Sequence, residues 1–241
     1  MSKPAMIQEG VSLAPLTTYR IGGVAEYYCA PQHPESLIEA LCWAKGSSLP
    51  IFVLGGGSNV LFADRGLAGL VVHLCNFLSD LDRASRFTEQ GECQVGGGVP
   101  LTPWVRRCIG QGYSGVEALI GIPGTVGGGL HMNAGAFGME ISYCLRSVDI
   151  LNEDLQRSTI PASALKFDYR RVTGLEGKLV LSACFRLQSG DPEQLLLRAR
   201  EIVAARRQQQ PLEFPSCGSV FKRPPGDFAG RLIEAAGLKG R

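Results

Sequence analysis

The sequence has few of the residues from which a metal site is made. Its three histidines, His33, His73 and His131, show no HExxH-like spacing, and its eight cysteines lie at least thirteen residues apart, so no CxxC pair exists to grip zinc or run thiol exchange. No metal is expected, and the thiols read as the reduced set of an intracellular protein. A bias of charge is also missing. The 24 Lys+Arg against 22 Asp+Glu leave a net +2, too little to argue for a nucleic-acid or membrane-surface partner, and a small-molecule ligand is expected instead. No apolar stretch approaches the ~20 residues a bilayer span requires, and residues 1–15 lack the basic start and apolar core of an export signal. The expected location is cytoplasmic. Two nucleotide signatures are absent too: GxGxxG would need glycine where Val60 stands, and no GxxxxGK(S/T) occurs.

What the sequence has in excess is glycine, 31 of 241 residues against a usual ~7%, within a chain that is 45% hydrophobic and long enough to bury a sizeable core. From Pro34, PESLIEALCWAKG places Leu37, Ile38, Leu41 and Cys42 on one helical face and stops at Gly46. Ile51–Leu54 and Gly69–Leu74 read as strands around a GGGSN loop, and Glu92–Val95 as another strand before a turn. Thr102-Pro103 is expected to cap a helix carrying Trp104, Val105, Cys108 and Ile109. Residues 110–138 hold ten glycines and are expected to form neither an ordinary helix nor a strand. Leu145–Leu151 and Leu155–Thr159 predict a hairpin, and 179–187 a half-buried strand. Asp191-Pro192 opens a long helix that Pro211 ends, and a second amphipathic helix carries Phe228, Leu232, Ile233 and Ala236. The expected division is 1–80, 81–189 and 190–241. The last part, 52 residues, is too small to stand alone without support.

Two glycine clusters could carry chemistry. In Gly55, Gly56, Gly57, Ser58 and Asn59 the missing Cβ atoms would let backbone N–H groups turn toward an anion such as a pyrophosphate. A plain glycine-rich turn explains that segment alone about as well. Gly121-Ile-Pro-Gly-Thr-Val-Gly-Gly-Gly129, followed by Met132-Asn-Ala-Gly-Ala136, supplies a second stretch where backbone could lie flat against a ligand. Two such loops about sixty residues apart suit an elongated dinucleotide better than a single phosphate.

Five segments, in order, carry a resemblance: Thr17-Thr-Tyr-Arg-Ile-Gly-Gly23; Leu54-Gly-Gly-Gly-Ser-Asn59; Gly121-Ile-Pro-Gly-Thr-Val-Gly-Gly128 with Met132-Asn-Ala-Gly135; Phe167-Asp-Tyr-Arg170; and Pro215-Ser-Cys-Gly-Ser-Val-Phe221. Together they resemble the UDP-N-acetylenolpyruvoylglucosamine reductase (MurB) family over essentially the whole chain. The resemblance implies an α+β fold: a two-subdomain FAD-binding module of the flavin oxidase/MurB type, followed by a partial α+β substrate domain. It further implies noncovalent FAD, NADPH as co-substrate, a UDP-sugar substrate whose enolpyruvyl ether is reduced to the UDP-N-acetylmuramate product, and a place in peptidoglycan synthesis. Nothing in the sequence sets an oligomeric state.

Carried over by motif, Gly55, Gly56, Gly57, Ser58, Asn59, Gly121, Pro123, Gly124, Thr125, Gly127, Gly128 and Asn133 would contact FAD. Arg170 would bind and polarise the substrate carboxylate, and Ser219 would donate a proton. The chemistry suits these types, because charge arising beside a carboxylate is stabilised by a fixed guanidinium and a hydroxyl held close can deliver a proton to a strongly basic carbon. The chain departs from the family at Val172, where serine is usual, at Met139, where glycine is common, and at Arg223, where many members have asparagine. In the family the chain runs on past a GLKG segment to a catalytic glutamate; here GLKG is followed by Arg241. A catalytically impaired flavin-binding fragment and a flavin oxidase of the same broad fold are the alternatives.

Overall fold

The computed structural model describes residues 2–75, 77, 85–88, 90–210 and 213–240. Its first sheet orders four strands as β1-β2-β4-β3: β1 (Gln8–Ser12), β2 (Val24–Cys29), β3 (Ile51–Leu54) and β4 (Leu67–His73). β1 runs antiparallel to β2, whereas β2 and β3 both run parallel to β4. Helix α1 (Pro34–Gly46) makes the crossover and buries Leu37, Ala40, Leu41, Trp43 and Ala44 against Leu70 and Val72. Its bounds match the sequence expectation because proline fits the first turn and the apolar stripe has helical period. The parallel β3–β4 pair sends the GGGSN loop out from the carboxyl end of β3, where open parallel sheets commonly bind ligands.

The second sheet is antiparallel throughout, in the order β8-β7-β9-β6-β5: β5 (Ser85–Phe87), β6 (Glu92–Gly96), β7 (Leu145–Leu151), β8 (Arg157–Pro161) and β9 (Leu179–Arg186). The β7–β8 hairpin forms as expected, with β8 starting two residues late because Leu155 takes φ 61° in the turn. Trp104 of α2 (Leu101–Gly110) and Phe185 of β9, with ring centroids 4.6 Å apart, centre the second core. Leu151 and Leu181 reach into the first core and join the two sheets.

Two expectations fail here. Pro100, not Thr102, caps α2, because the Thr102 hydroxyl is spent on Gly121 and Ile122 of the second glycine loop. A short helix, α3 (Val126–His131), and the two-residue strands Tyr113–Ser114 and Gly135–Ala136 form inside the glycine-rich stretch expected to hold neither helix nor strand. Tertiary contact overrides poor propensity there: a Cβ on Gly127 would stand 3.0 Å from the Gly97 carbonyl, so the helix needs glycine to pack this closely on β6.

Helix α4 (Pro192–Gln209) starts where predicted, with Asp191 accepting from the Glu193 N–H at 3.0 Å, and buries Leu195, Ala199 and Ile202 in the second core. The boundary expected at 80/81, the stop at Pro211 and the terminal Arg241 lie outside the described residues. From 213 to 240 no described residue is buried. That stretch holds α5 (Ala229–Ala235), with Phe228 at its N-cap and Leu232 exposed. Among the described residues no helix is long and apolar enough to cross a membrane.

Candidate active site

A cleft of about 1310 Å³ has walls from both glycine loops, the 132–143 segment, the Tyr169–Arg170 turn and the Cys217–Ser219 loop. Gly55 to Asn59, Pro123, Gly124, Thr125, Gly127, Gly128, Asn133, Arg170 and Ser219 all line it. Gly121 does not. It bends at φ 78° against the Arg206 side chain and donates its N–H to Thr102 Oγ1 at 3.0 Å, so its place is in the support of the loop rather than on the cleft wall.

The first loop is fixed from below. The Gly57 carbonyl accepts the Thr18 N–H at 3.0 Å, and with φ 62° a side chain at Gly57 would run into the Leu16 carbonyl. A Cβ on Gly56 would stand 2.7 Å from Gly124 Cα, and Ser58 Oγ donates to the Pro123 carbonyl at 3.1 Å, so the two loops touch. His73 holds the Gly55 backbone, and its Nδ1 pairs with the Tyr28 hydroxyl at 2.8 Å. Burial pushes the His73 pKa down, with the Gly55 bond opposing. The N–H groups of Gly56, Gly57, Ser58 and Asn59 meet no acceptor among the described residues, which leaves four donors together at the cleft.

The second loop has already spent most of its backbone donors within the fold. Gly127 N–H goes to the Gly97 carbonyl at 2.7 Å, Gly128 N–H to Thr125 Oγ1 at 3.2 Å, and Val126 N–H to the Val99 carbonyl at 2.9 Å. Gly127 and Gly128, expected to contact FAD, therefore line the cleft with N–H groups that are already spent. Their glycines permit close packing, and only Gly124 and Thr125 in this loop keep N–H groups without an acceptor among the described residues.

Asn133 sits at the cleft, 5% exposed and at φ 43°. Its Nδ2 donates to Glu140 Oε2 at 2.6 Å and toward the Asp168 carbonyl at 3.5 Å, while its buried Oδ1 meets no partner among the described residues. An acceptor left in that state costs about 1–3 kcal/mol. Arg170, at φ 56°, occupies the tight turn between the strands Lys166–Asp168 and Arg171–Thr173, and its Nη2 donates to Asn59 Oδ1, tying the turn to the first loop. Ser219 reaches the cleft from the exposed 213–240 stretch. That stretch is attached by the Arg223 N–H to the Tyr169 hydroxyl at 3.4 Å, and by Cys217, whose hydrogen bond raises the Tyr19 pKa. Val172 is buried in the second core and lines no wall. The sequence reading missed Glu140, Phe137 and Tyr143 as cleft residues; the only signal for them was their place just after Asn-Ala-Gly.

These features fit FAD: a run of free backbone donors for a pyrophosphate, with flat glycine backbone beside it. The comparisons agree. The FAD-binding-domain family matches residues 25–154, and the C-terminal domain of UDP-N-acetylenolpyruvoylglucosamine reductase matches 210–241. A UDP-N-acetylenolpyruvoylglucosamine reductase from Synechococcus sp. (strain JA-3-3Ab) is 42% identical over 97% of this chain and 74% of its own length. One from Gloeobacter violaceus is 40% identical over 98% and 78%. The crystal structure of MurB from Thermus caldophilus superposes with a TM-score of 0.79 at 31% identity, covering 96% of this chain and 80% of that one. A 6-hydroxy-D-nicotine oxidase from Arthrobacter nicotinovorans, at 16% identity and TM-score 0.54 over 68% of this chain and 37% of its own, shares the fold alone. The oxidase alternative thus has likeness of fold but no comparable likeness of sequence, and by residues, motifs and structure together the chain belongs to the UDP-N-acetylenolpyruvoylglucosamine reductase (MurB) family.

Proposed function

We propose that this protein is an FAD enzyme that reduces the enolpyruvyl ether of UDP-N-acetylglucosamine to UDP-N-acetylmuramate, with NADPH as the reductant, in the cytoplasm, for peptidoglycan synthesis and hence cell-wall growth and division. The observation that carries this reading is the convergence of Arg170 and Ser219 on the cleft whose other walls are the glycine loops. FAD, when bound and reduced, supplies the hydride. Gly56 to Asn59 would hold its pyrophosphate through their free N–H groups, and Asn133, which lines the same cleft, would lie beside the cofactor. The expected division at 80/81 and 189/190 would then give two flavin-holding parts and a third that brings Ser219 to the substrate.

Arg170 does the electrostatic work in this scheme. As the vinyl ether carbon accepts hydride, negative charge spreads into the neighbouring carboxylate, and a guanidinium fixed by its turn and by Asn59 stabilises that charge without reorganising. Ser219 then gives a proton to the α-carbon, completing net addition of a hydride and a proton across the double bond. A hydroxyl is a weak acid, so it serves only when held against so basic a carbon.

The test is stopped-flow absorbance of the bound flavin. NADPH should reduce it, and the enolpyruvyl nucleotide should reoxidise it. Ser219→Ala should leave the first half-reaction intact and slow the second by ~10²–10⁴-fold. Equal reoxidation by wild type and variant would remove Ser219 from the proton transfer, and no substrate-dependent NADPH consumption by wild type would overturn the function.

A further inference from the structure

Away from the cleft, a groove of about 870 Å³ runs between α2 and α4, and none of its wall residues also lines the cleft. The two helices lie antiparallel. A Cβ on Gly112, just past the end of α2, would stand 3.4 Å from the Pro192 ring at the start of α4, while Thr102 at the start of α2 accepts the N–H of Gly121, which lies against Arg206 near the end of α4. Helix α4 turns one stripe, Leu195, Ala199 and Ile202, into the second core. It shows a second stripe, Leu196, Arg200, Val203 and Arg207, to the groove at spacings of four, three and four residues. Ile109 of α2 and Ile120 add apolar wall, Leu196 is left exposed, and a Cβ on Gly110 would meet nothing within 4 Å, so the groove stays open beside the end of α2.

Three arginines rim this apolar wall, Arg106 from α2 and Arg200 and Arg207 from α4. All three are exposed, and none has an acidic partner among the described residues, whereas Arg198 on the same helix pairs with Glu201 at 3.2 Å. Glu193 is the one acid among the described wall residues. At ~1.5 Å of rise per residue it lies about 10 Å along the axis from Arg200 and about 21 Å from Arg207, so the charge of the rim stays positive. A neutral apolar occupant would desolvate the guanidinium groups with nothing in return, and a cation would be repelled. A carboxylate can accept two parallel N–H bonds from one guanidinium. The volume falls in the range of about 300–1,000 Å³ that encloses a small molecule. We propose that the α2–α4 groove is a binding site for an anionic amphiphile of the fatty-acid type, a single apolar chain ending in a carboxylate. The chain lies against Ile109, Ile120, Leu196 and Val203, and the carboxylate pairs with the arginine rim.

The test is isothermal titration calorimetry of the purified protein, with FAD added, against dodecanoate and dodecyltrimethylammonium, each below its micelle concentration. Dodecanoate should bind saturably, one per chain, and roughly tenfold or more tightly than the cation of equal chain length. Changing Arg106, Arg200 and Arg207 together to Gln should weaken it by roughly tenfold and flatten its salt dependence. Ala204→Phe, which fills the groove from an exposed position on α4, should abolish binding without lowering Tm. The exposed apolar stretch from 213 to 240 is the rival site on this chain, and Leu232→Ser should leave dodecanoate binding unchanged. Absence of saturable binding by folded wild type, equal affinity for the cation, or binding lost in Leu232→Ser and kept in Ala204→Phe overturns the proposal. So does an acidic amphipathic peptide that binds where dodecanoate does not, or a concentration-dependent dimer that Ala204→Phe abolishes, since either assigns the groove to a protein surface. None of these outcomes depends on the reading of the cleft.

Discussion

Gly55–Asn59 and Gly121–Gly129 meet across one cleft, but they spend their backbone N–H groups in opposite ways. Four consecutive donors of the first loop have no acceptor among the described residues, whereas Gly121, Val126, Gly127 and Gly128 of the second have given theirs to Thr102, Val99, Gly97 and Thr125. Glycine is used in the first loop to make a turn that exposes donors, and in the second to let a helix lie on a strand. Equal glycine content therefore does not mean equal ligand contact, and substitutions can separate the two uses.

The largest effect is expected at Gly57. Its φ of 62° and the Leu16 carbonyl in the path of a Cβ make Gly57→Ala both strained and overpacked, and the loss should reach about 3 kcal/mol. Thermal melts should show the drop together with loss of bound flavin. Gly56→Val with Gly127→Val should release flavin too, but by prising the loops from Gly124 and Gly97, so Tm must fall with absorbance; flavin loss at unchanged Tm would instead mean direct contact. Thr125→Ala comes next, at about 1 kcal/mol, the usual value of an N-cap hydroxyl, and denaturant titration would read it.

The pH response is smaller and separable by loop. His73 under the first loop and His131 at the end of α3 both have pKa values pushed down by burial from the ordinary 6.5. The unfolded chain takes up the proton first, so stability is full above about pH 6.5 and declines as pH falls below it. Tm at pH 5 should lie below that at pH 7.5, on a scale of ~2–4 °C per kcal/mol for a chain of this size. His73→Gln should flatten only the share of this dependence that belongs to the first loop. The smallest effect is expected at Gly128→Ala, within about 0.5 kcal/mol, because the added Cβ meets only Thr125 Oγ1 at 3.4 Å and gains helix propensity. Flavin loss in that otherwise stable variant would show that ligand lies against the second loop at this point.

The parts of this arrangement that were legible in the sequence are those set by local period and local chemistry. Leu37 and Leu41 with Pro34 and Gly46 mark α1 to the residue, and Asp191-Pro192 marks the start of α4. The parts that were not legible depend on partners far along the chain. Thr102 reads as a helix cap until its hydroxyl is found on Gly121 and Ile122, and three consecutive glycines read as a loop until Gly97 is found beneath them. Of the cleft residues, the glycines, Asn133, Arg170 and Ser219 are visible through ordered motifs. Glu140 is not, because its importance lies in a hydrogen bond made by an ordinary-looking carboxylate seven residues from Asn133.

The exposed stretch from 213 to 240 has a consequence for the balance between affinity and turnover. Ser219 rides on backbone that buries no side chain and is attached through Tyr169 and Tyr19. Conformational freedom of that size must be given up before the hydroxyl can meet a carbon atom, at about 1–2 kcal/mol for each backbone residue fixed. A substrate that orders the segment draws this cost from its own binding energy, so apparent affinity is weaker than the contacts alone would give. A proline that rigidifies the segment in the conformation that places Ser219 on the cleft wall should then lower KM while leaving the chemistry at Ser219 unchanged.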